Sequence, residues 1–224
     1  MSFNMLNIAV NIQTVKASIP EEVTLVAVSK TKSIAEIMQA YDAGQRVFGE
    51  NKIQEMAAKW EDMPKDIEWH MIGHVQRNKV KYMAPFVSLI HAVDSFKLLN
   101  EINKQALKHD RVIECLLQIK IADEESKFGM SEIEATALLD SEEIKRLENV
   151  KVTGLMGMAT FTDNVAQLTE EFSYLSEVYD KLNTQHPDLQ ILSMGMSGDY
   201  ALAIEHGSTM VRVGSAIFGA RNYA

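Results

Sequence analysis

Cysteine is almost absent from this sequence: Cys115 is the only one among 224 residues. A single cysteine excludes an internal disulfide and is typical of proteins kept in a reducing compartment. Because Cys115 lies in the apolar run 112–119, we expect it to pack in the core rather than to act as a nucleophile.

Long apolar runs are also absent, and positive charge is scarce. No run approaches the roughly 20 residues that span a bilayer, and the N-terminal segment lacks the basic start of a signal peptide. The 22 Lys and Arg against 31 Asp and Glu give a net charge of −9, which disfavours nucleic acid and anionic membranes as partners. Arg77, Lys79 and Lys81 form a local basic cluster that we interpret as a solvated helix face. We therefore expect a cytoplasmic protein with no nucleic-acid or membrane partner.

Proline and glycine are few, and they do not cluster. Four prolines and eleven glycines are scattered along the chain, with no linker, internal repeat or low-complexity tract. The apolar content of 46% is enough for one sizeable core. We therefore predict one domain over residues 1–224.

What the sequence does contain is a regular alternation of short apolar runs with longer polar stretches of helical spacing. This order implies parallel strands joined by right-handed crossovers. Eight such units predict an α/β fold, a single (β/α)₈ TIM barrel. The alternative is an open doubly wound sheet, which usually has a Gly-rich loop after its first strand, where this chain has Ser29-Lys30-Thr31. The predicted strands are 23–29, 47–50, 67–73, 89–94, 111–122, 150–158, 190–195 and 209–215, and the predicted helices are 33–43, 51–60, 76–84, 95–109, 131–147, 165–183 and 199–206, with one more helix before the first strand.

Two of these helices begin with a recognisable signal. Ser33 stands three residues before Glu36, and Ser131 stands three residues before Glu134. This spacing is that of a capping box, in which the two side chains bond to backbone N–H groups of the first turn.

Lys30 is the first candidate for chemistry. In a parallel barrel the reactive face lies where the strands end, and Val26, Val28 and Lys30 share one side of the first strand because strand side chains alternate. Burial over an apolar interior favours the neutral amine, and a neutral amine can form a Schiff base with an aldehyde. The alternative is a surface lysine that begins a loop.

Two Gly/Ser turns follow the seventh and eighth predicted strands. Phosphate sites in these barrels often use these two loops. Glycines let a phosphate approach the backbone, hydroxyls donate to it, and a helix N-terminus supplies N–H groups. Two ordinary Gly-containing turns are the alternative. The predicted phosphate-binding residues are Ser197, Gly198, Gly214 and Ser215.

Arg212 and Asn51 are the remaining polar candidates. Arg212 lies inside an apolar strand and needs a partner there; it could pair with Glu50 or Glu205, face an acceptor atom of a bound ring, or do both. Asn51 follows the second strand, where its amide could contact a ring hydroxyl or cap the next helix.

Histidines and methionines give weaker signals. His70 and His74 are four apart, which would align them for a metal on a helix, but segment 67–73 is predicted to be a strand and no Cys/His cluster supports them, so we expect no metal site. Met156, Met158, Met194 and Met196 are expected to line the barrel interior.

At these residues the chain resembles the pyridoxal phosphate homeostasis protein family (YggS/PROSC type). The match runs through most of the chain in order, and its last motif is long and specific. The chain departs at GLMGMAT, where many members read closer to LMTMAP, and at QIKIADEES, where QVNIS is usual. The matching motifs are AVSKT at 27–31, FGEN with IQE at 48–55, WHMIGHVQRNK at 69–79, AVDS at 92–95, EESKFG at 124–129, GLMGM at 154–158 and SMGMSGDYALAIEHGSTMVRVGSAIFG at 193–219.

The resemblance implies a barrel that binds pyridoxal 5′-phosphate (PLP), similar to the N-terminal domain of alanine racemase (fold type III). It places the Schiff-base lysine at Lys30, and it makes Arg212 the arginine that faces the pyridine nitrogen. The cofactor-binding residues that it implies are Lys30, Asn51, Ser197, Gly198, Arg212, Gly214 and Ser215.

Two classes of function are compatible with such a site. One is a PLP carrier without turnover that acts in vitamin B6 and amino-acid homeostasis; the other is a PLP-dependent amino-acid racemase. An arginine at the pyridine nitrogen weakens the ring as an electron sink, and racemases need a second base from a further domain. Since the sequence ends at Ala224, directly after the eighth unit, we expect the carrier.

Other points stay open at this stage. A Schiff-base aldolase on the same barrel is a third reading, although it would need neither the second phosphate turn nor Arg212. Apo forms of PLP-dependent enzymes are candidate recipients of the cofactor. The chain could be a monomer or a weak homodimer.

Overall fold

Parallel strands close into a barrel in the part of the chain that the structure describes, residues 7–122 and 128–220 of a computed structural model. The strand order is sequential, and β1 pairs with both β2 and β8. This confirms the predicted (β/α)₈ barrel and excludes the open doubly wound sheet, whose edge strands would stay unpaired. The strands are β1 (Thr24–Val28), β2 (Val47–Glu50), β3 (Glu68–Met71), β4 (Leu89–Val93), β5 (Ile113–Ile119), β6 (Val150–Gly157), β7 (Ile191–Met196) and β8 (Met210–Val213).

Helices follow most strands and pack around the outside of the barrel. They are α1 (Ile8–Ala17), α2 (Ile34–Asp42), α3 (Ile53–Asp62), α4 (Phe96–Leu107), α5 (Glu132–Asp140), α6 (Val165–Gln185), α7 (Tyr200–Glu205) and α8 (Ser215–Phe218), with 3₁₀ helices at Arg77–Tyr82 and Ile144–Arg146. No helix in the described ranges is long and apolar enough to cross a membrane.

Beyond small shifts at element ends, three predicted elements differ in the structure. The segment after β3 forms a 3₁₀ helix rather than an α-helix. The predicted helix 131–147 is interrupted at Ser141, the C-cap of α5, where the backbone is extended. The last predicted strand ends at Val213, and Ser215 already begins α8.

The hydrophobic core has two layers. The larger layer lies between the strands and the helices and includes Phe48, Trp69 and the fully buried Cys115. The smaller layer fills the barrel itself and includes Val26, Leu116 and Met156. Alternation along each strand sends successive side chains into the two layers. As a result, the inner row of β1 ends at the mouth of the barrel, where the chain continues into Lys30.

Candidate cofactor-binding site

A cleft of about 400 Å³ opens where the strands end. The loops after β1, β2, β6, β7 and β8 contribute to its walls, as the reactive face of such a barrel requires. The structure therefore brings together side chains that are far apart in the sequence. All seven residues singled out from the sequence line it: Lys30, Asn51, Ser197, Gly198, Arg212, Gly214 and Ser215.

Lys30 is held by a tight and strained turn. The N–H of Lys32 donates to the carbonyl of Ser29 at 3.0 Å, which closes the turn around Lys30. Thr31 has a φ of 64°, in the left-handed region, which costs a β-branched residue about 1–2 kcal/mol. The N–H of Thr31 donates to a carboxylate oxygen of Glu55 at 2.6 Å. Lys30, which is half-buried, thus enters the cleft from a backbone whose shape is fixed on both sides.

A buried ion-pair network lies behind this turn. The ammonium of Lys59 donates to Glu50 Oε1 at 2.7 Å, to Glu55 Oε1 at 2.7 Å and to the carbonyl of Ser29 at 2.9 Å. The hydroxyl of Ser29 also donates to Glu50 Oε1, at 2.7 Å. Burial raises the pKa of Glu50, while Lys59 and the Ser29 hydroxyl oppose that shift. The network therefore links both neighbours of Lys30 to α3.

The sequence reasoning missed Lys59 and Glu55. A signal was present, because Lys59 follows Glu55 by four residues on one helix face. Lys59 also follows Ile53 and Met56 at helical spacing on the buried face of α3. A lysine on such a face needs a charged partner, but the sequence does not say which carboxylate that partner is.

Asn51 lines the cleft and carries an acceptor that no described residue satisfies. Its Oδ1 is buried and has no hydrogen-bond partner among the described residues. The predicted alternative, a helix cap, is wrong, because the N-cap of α3 is Lys52. A buried acceptor without a donor is costly, so Asn51 fits a ligand that brings a hydroxyl or N–H group to this point.

The two Gly/Ser turns meet at the hydroxyl of Ser197. The N–H groups of Gly214 and Ala216 both donate to Ser197 Oγ, at 3.0 and 3.4 Å. A Cβ added at Gly198 would meet no atom within 4 Å, so the space above this turn is open. The Ser197 hydroxyl thus ties the two turns together beside an open position, and its proton remains available to donate to an anion such as a phosphate.

Arg212 does not pair with Glu50 or Glu205, as one sequence reading allowed. Glu50 is bound to Lys59, and Glu205 is exposed. The guanidinium instead donates to the carbonyl of Ser193 at 2.9 Å and to the carbonyl of Gly157 at 2.9 Å. Burial lowers the pKa of Arg212 to about 10, so it remains a cation at neutral pH.

The loop after β6 forms a wall of the cleft that the sequence did not predict. Residues 160–163 line it, and the Glu171 carboxylate anchors the loop by accepting from the N–H and the hydroxyl of Thr160, both at 2.6 Å. Phe161 is 95% exposed at this rim, so the wall leaves the cleft open to solvent.

The methionine prediction is right for three positions and wrong for one. Met158 and Met196 line the cleft, and Met156 packs inside the barrel. Met194 packs in the outer layer against the helices. The pairing of β7 with β8 shifts register between Ser193 and Met196, so simple alternation fails there.

The two histidines of the pair are separated, and the motif EESKFG lies partly outside the described residues. His70 contacts His91 inside the barrel, whereas His74 lies 3.6 Å from Asp94 at the surface. No group of three potential metal ligands occurs among the described residues. Residues 124–127 of the motif lie outside the described ranges.

Comparisons with known proteins agree with this geometry. The family described as "Alanine racemase, N-terminal domain" matches residues 4–222. The pyridoxal phosphate homeostasis protein of Vibrio alginolyticus is 43% identical over 211 residues, covering 92% of this chain and 89% of that protein. The structure of PipY from Synechococcus elongatus PCC7942 with PLP bound has a TM-score of 0.85 at 34% identity and covers 95% of this chain and 100% of PipY.

A more distant neighbour supports the fold alone. Alanine racemase from Clostridium difficile 630 has a TM-score of 0.77 at 14% identity, over 97% of this chain and 56% of the racemase. The curated relatives, by contrast, match along nearly their whole length. The chain belongs to the pyridoxal phosphate homeostasis protein family.

Proposed function

We propose that this chain, as a single barrel domain over residues 1–224, binds PLP and acts in PLP homeostasis without turning over amino acids. The observation that carries the proposal is the convergence of all seven predicted residues on one cleft. The relatives support it, since the PipY structure has PLP bound and the curated homologues are named for PLP homeostasis.

The donors and acceptors of the cleft match the functional groups of PLP. Lys30 would hold the cofactor as a Schiff base, and the turns containing Ser197 and Gly214 would hold its phosphate. The buried Asn51 Oδ1, which has no partner among the described residues, would accept from the ring hydroxyl. Arg212 would donate to the ring nitrogen. PLP supplies an aldehyde that condenses with an amine and a ring that withdraws electrons.

The environment of the cleft favours holding over turnover. Arg212 is charged and has no acceptor atom, so it would donate to a ring nitrogen of the bound cofactor and would keep that nitrogen unprotonated. An unprotonated ring withdraws electrons from a carbanion less strongly. The rim at Phe161 is open to solvent, whereas catalysis benefits from a closed, preorganised site.

The first experiment is a visible spectrum of the protein with PLP, followed by borohydride reduction and peptide mapping. We expect a yellow complex whose reduced label maps to Lys30, and loss of that label in Lys30→Ala. A colourless protein, or a wild-type label on another lysine, would overturn the site assignment.

Turnover is tested separately with both enantiomers of alanine. We expect no racemase or transaminase activity above that of Lys30→Ala. Activity that tracks the pure protein and disappears in Lys30→Ala would establish the racemase-like alternative. Mixing the loaded protein with an apo PLP-dependent enzyme tests whether such enzymes receive the cofactor.

A further inference from the structure

A chain of buried polar side chains crosses the barrel interior beneath the cleft. Nη1 of Arg212 lies 2.6 Å from Ser193 Oγ, Ser193 Oγ lies 3.2 Å from His91 Nδ1, and His91 Nε2 lies 3.1 Å from His70 Nδ1. None of the four residues is more than 4% exposed. The chain thus connects a residue of the cleft to the centre of the barrel.

These polar groups are unusual for their surroundings. The interior layer beside them consists of apolar side chains such as Val26, Leu89 and Met210. Burying two imidazoles there is costly unless their nitrogen atoms are bonded. Packing alone would be served better by apolar residues of similar size.

The chemistry of the groups fixes the direction of each hydrogen bond. A guanidinium can only donate, so Ser193 Oγ accepts from Arg212. Among the described residues, His91 Nδ1 is the acceptor within reach of the Ser193 hydroxyl proton. If His91 Nδ1 carried a proton instead, the buried hydroxyl would lack an acceptor.

The acceptor role of His91 Nδ1 also fixes the ring protons of His91 and His70. With Nδ1 accepting, the neutral ring of His91 carries its proton on Nε2 and donates to His70 Nδ1. Burial lowers the pKa of His70 to about 3, and burial with the nearby His70 and Arg212 lowers the pKa of His91 well below its usual value. Both rings are therefore neutral at physiological pH, and their proton positions are defined.

We infer that Ser193 and His91, supported by His70, are positioning residues that orient the Arg212 guanidinium toward a ligand in the cleft. The inference rests on the proposed function for the identity of that ligand as PLP. Bonds to Ser193 Oγ and to the carbonyls of Ser193 and Gly157 occupy three guanidinium N–H groups. A guanidinium has five N–H groups, so two remain for the ligand. The hydrogen bonds through Ser193, His91 and His70 determine where these two groups point.

The first test needs neither a variant nor a cofactor. Two-bond ¹H–¹⁵N spectra of the ¹⁵N-labelled protein without PLP report which ring nitrogen of each histidine carries the proton. We expect Nδ1 of His91 and of His70 to be unprotonated and Nε2 of both to be protonated. A proton on His91 Nδ1 would reverse the direction of the hydrogen bonds between Ser193, His91 and His70, and it would overturn the inference.

The second test removes the hydrogen bond between Ser193 and Arg212. Ser193→Ala deletes the hydroxyl, and we expect PLP to be released about tenfold faster because a hydrogen bond to a charged group is lost. Ser208→Ala is the matched control, since Ser208 is also buried but its hydroxyl bonds only to backbone carbonyls. The control is expected to keep the wild-type release rate even if its melting temperature falls.

A third pair of variants separates positioning from packing. His91→Leu removes the acceptor, whereas His91→Asn puts an amide oxygen near the position of Nδ1. We expect His91→Leu to release PLP faster and to alter the pH profile of the bound chromophore, and His91→Asn to restore much of both. Equal release from wild type, Ser193→Ala and His91→Leu would overturn the inference while leaving the proposed function standing. A wild-type protein that forms no trapped adduct would overturn the proposed function instead, and the proton positions from the first test would still decide the direction of the chain.

Discussion

Lys30 and Lys59 lie close to the same turn but have opposite chemical environments. Lys59 is buried, and its ammonium is held by two carboxylates and the carbonyl of Ser29. These three hydrogen bonds hold the amine of Lys59 outside the lining of the cleft, so it is not positioned to attack an aldehyde there. Lys30 lines the cleft, so of these two lysines it is the one placed to react.

We predict that Lys59→Met destabilises the fold by about 3–5 kcal/mol, because it leaves the carboxylate of Glu50 buried without its cation. Urea unfolding measures this change. Lys145→Met is the control, since its pair with Glu142 is exposed on both sides, and it is expected to leave the free energy of unfolding nearly unchanged. Equal losses in the two variants would show that the buried network does not stabilise the turn.

The sequence predicted the location of a site residue correctly where the residue lies at the end of a strand. Lys30, Asn51, Ser197 and Arg212 could be placed at one face because parallel strands all end there. The partner of Lys59 could not be predicted. Its bond to Glu50 joins a helix to a strand, and only the packing of the folded molecule brings these two elements together. The orientation of Met194 was missed for a similar reason, since a register shift in β7 is invisible in the alternation of side chains.

At the level of elements, the capping boxes show how local sequence fixes a boundary. The Ser33 hydroxyl accepts from the N–H of Glu36 at 3.3 Å, and the Glu36 carboxylate accepts from the N–H of Ser33 at 2.8 Å. The same reciprocal pair begins α5 at Ser131. Both helix starts were predicted because these bonds involve residues only three apart.

We predict that Ser33→Ala lowers the free energy of unfolding by about 1 kcal/mol, since it removes the side-chain acceptor at the N-terminus of α2. Ser95→Ala is the matched control, because Ser95 is the N-cap of α4 but makes no capping hydrogen bond. Its effect is expected to stay within about 0.5 kcal/mol. Thermal unfolding of both variants checks the difference, and equal effects would contradict the assigned role of the Ser33 hydroxyl.

At the scale of the whole molecule, the two buried histidines tie stability to pH. In the folded state the pKa of His70 is lowered to about 3, and that of His91 is lowered well below its usual value. The unfolded chain therefore binds more protons below about pH 6.5. These groups therefore leave the free energy of unfolding unchanged above about pH 6.5. Below it, the free energy of unfolding falls progressively as the pH drops toward the folded-state pKa of His70, about 3.

We predict that the free energy of unfolding decreases by up to about 2.7 kcal/mol per pH unit below pH 6, from two histidines at about 1.36 kcal/mol each. Urea titrations at pH 7, 6 and 5 measure this slope. His70→Gln is expected to reduce it by about half. A flat profile between pH 7 and 5 would mean that the histidines are not buried as neutral rings.

The sequential closure of the barrel also sets an order of events during protein synthesis. Lys30 follows the first strand, whereas Arg212 lies on the last, which pairs with the first. A chain emerging from the ribosome therefore presents Lys30 long before β8 supplies the neighbouring wall of the cleft. Retention of the proposed cofactor would then depend on the docking of β8 against β1, so retention would report that the barrel has closed.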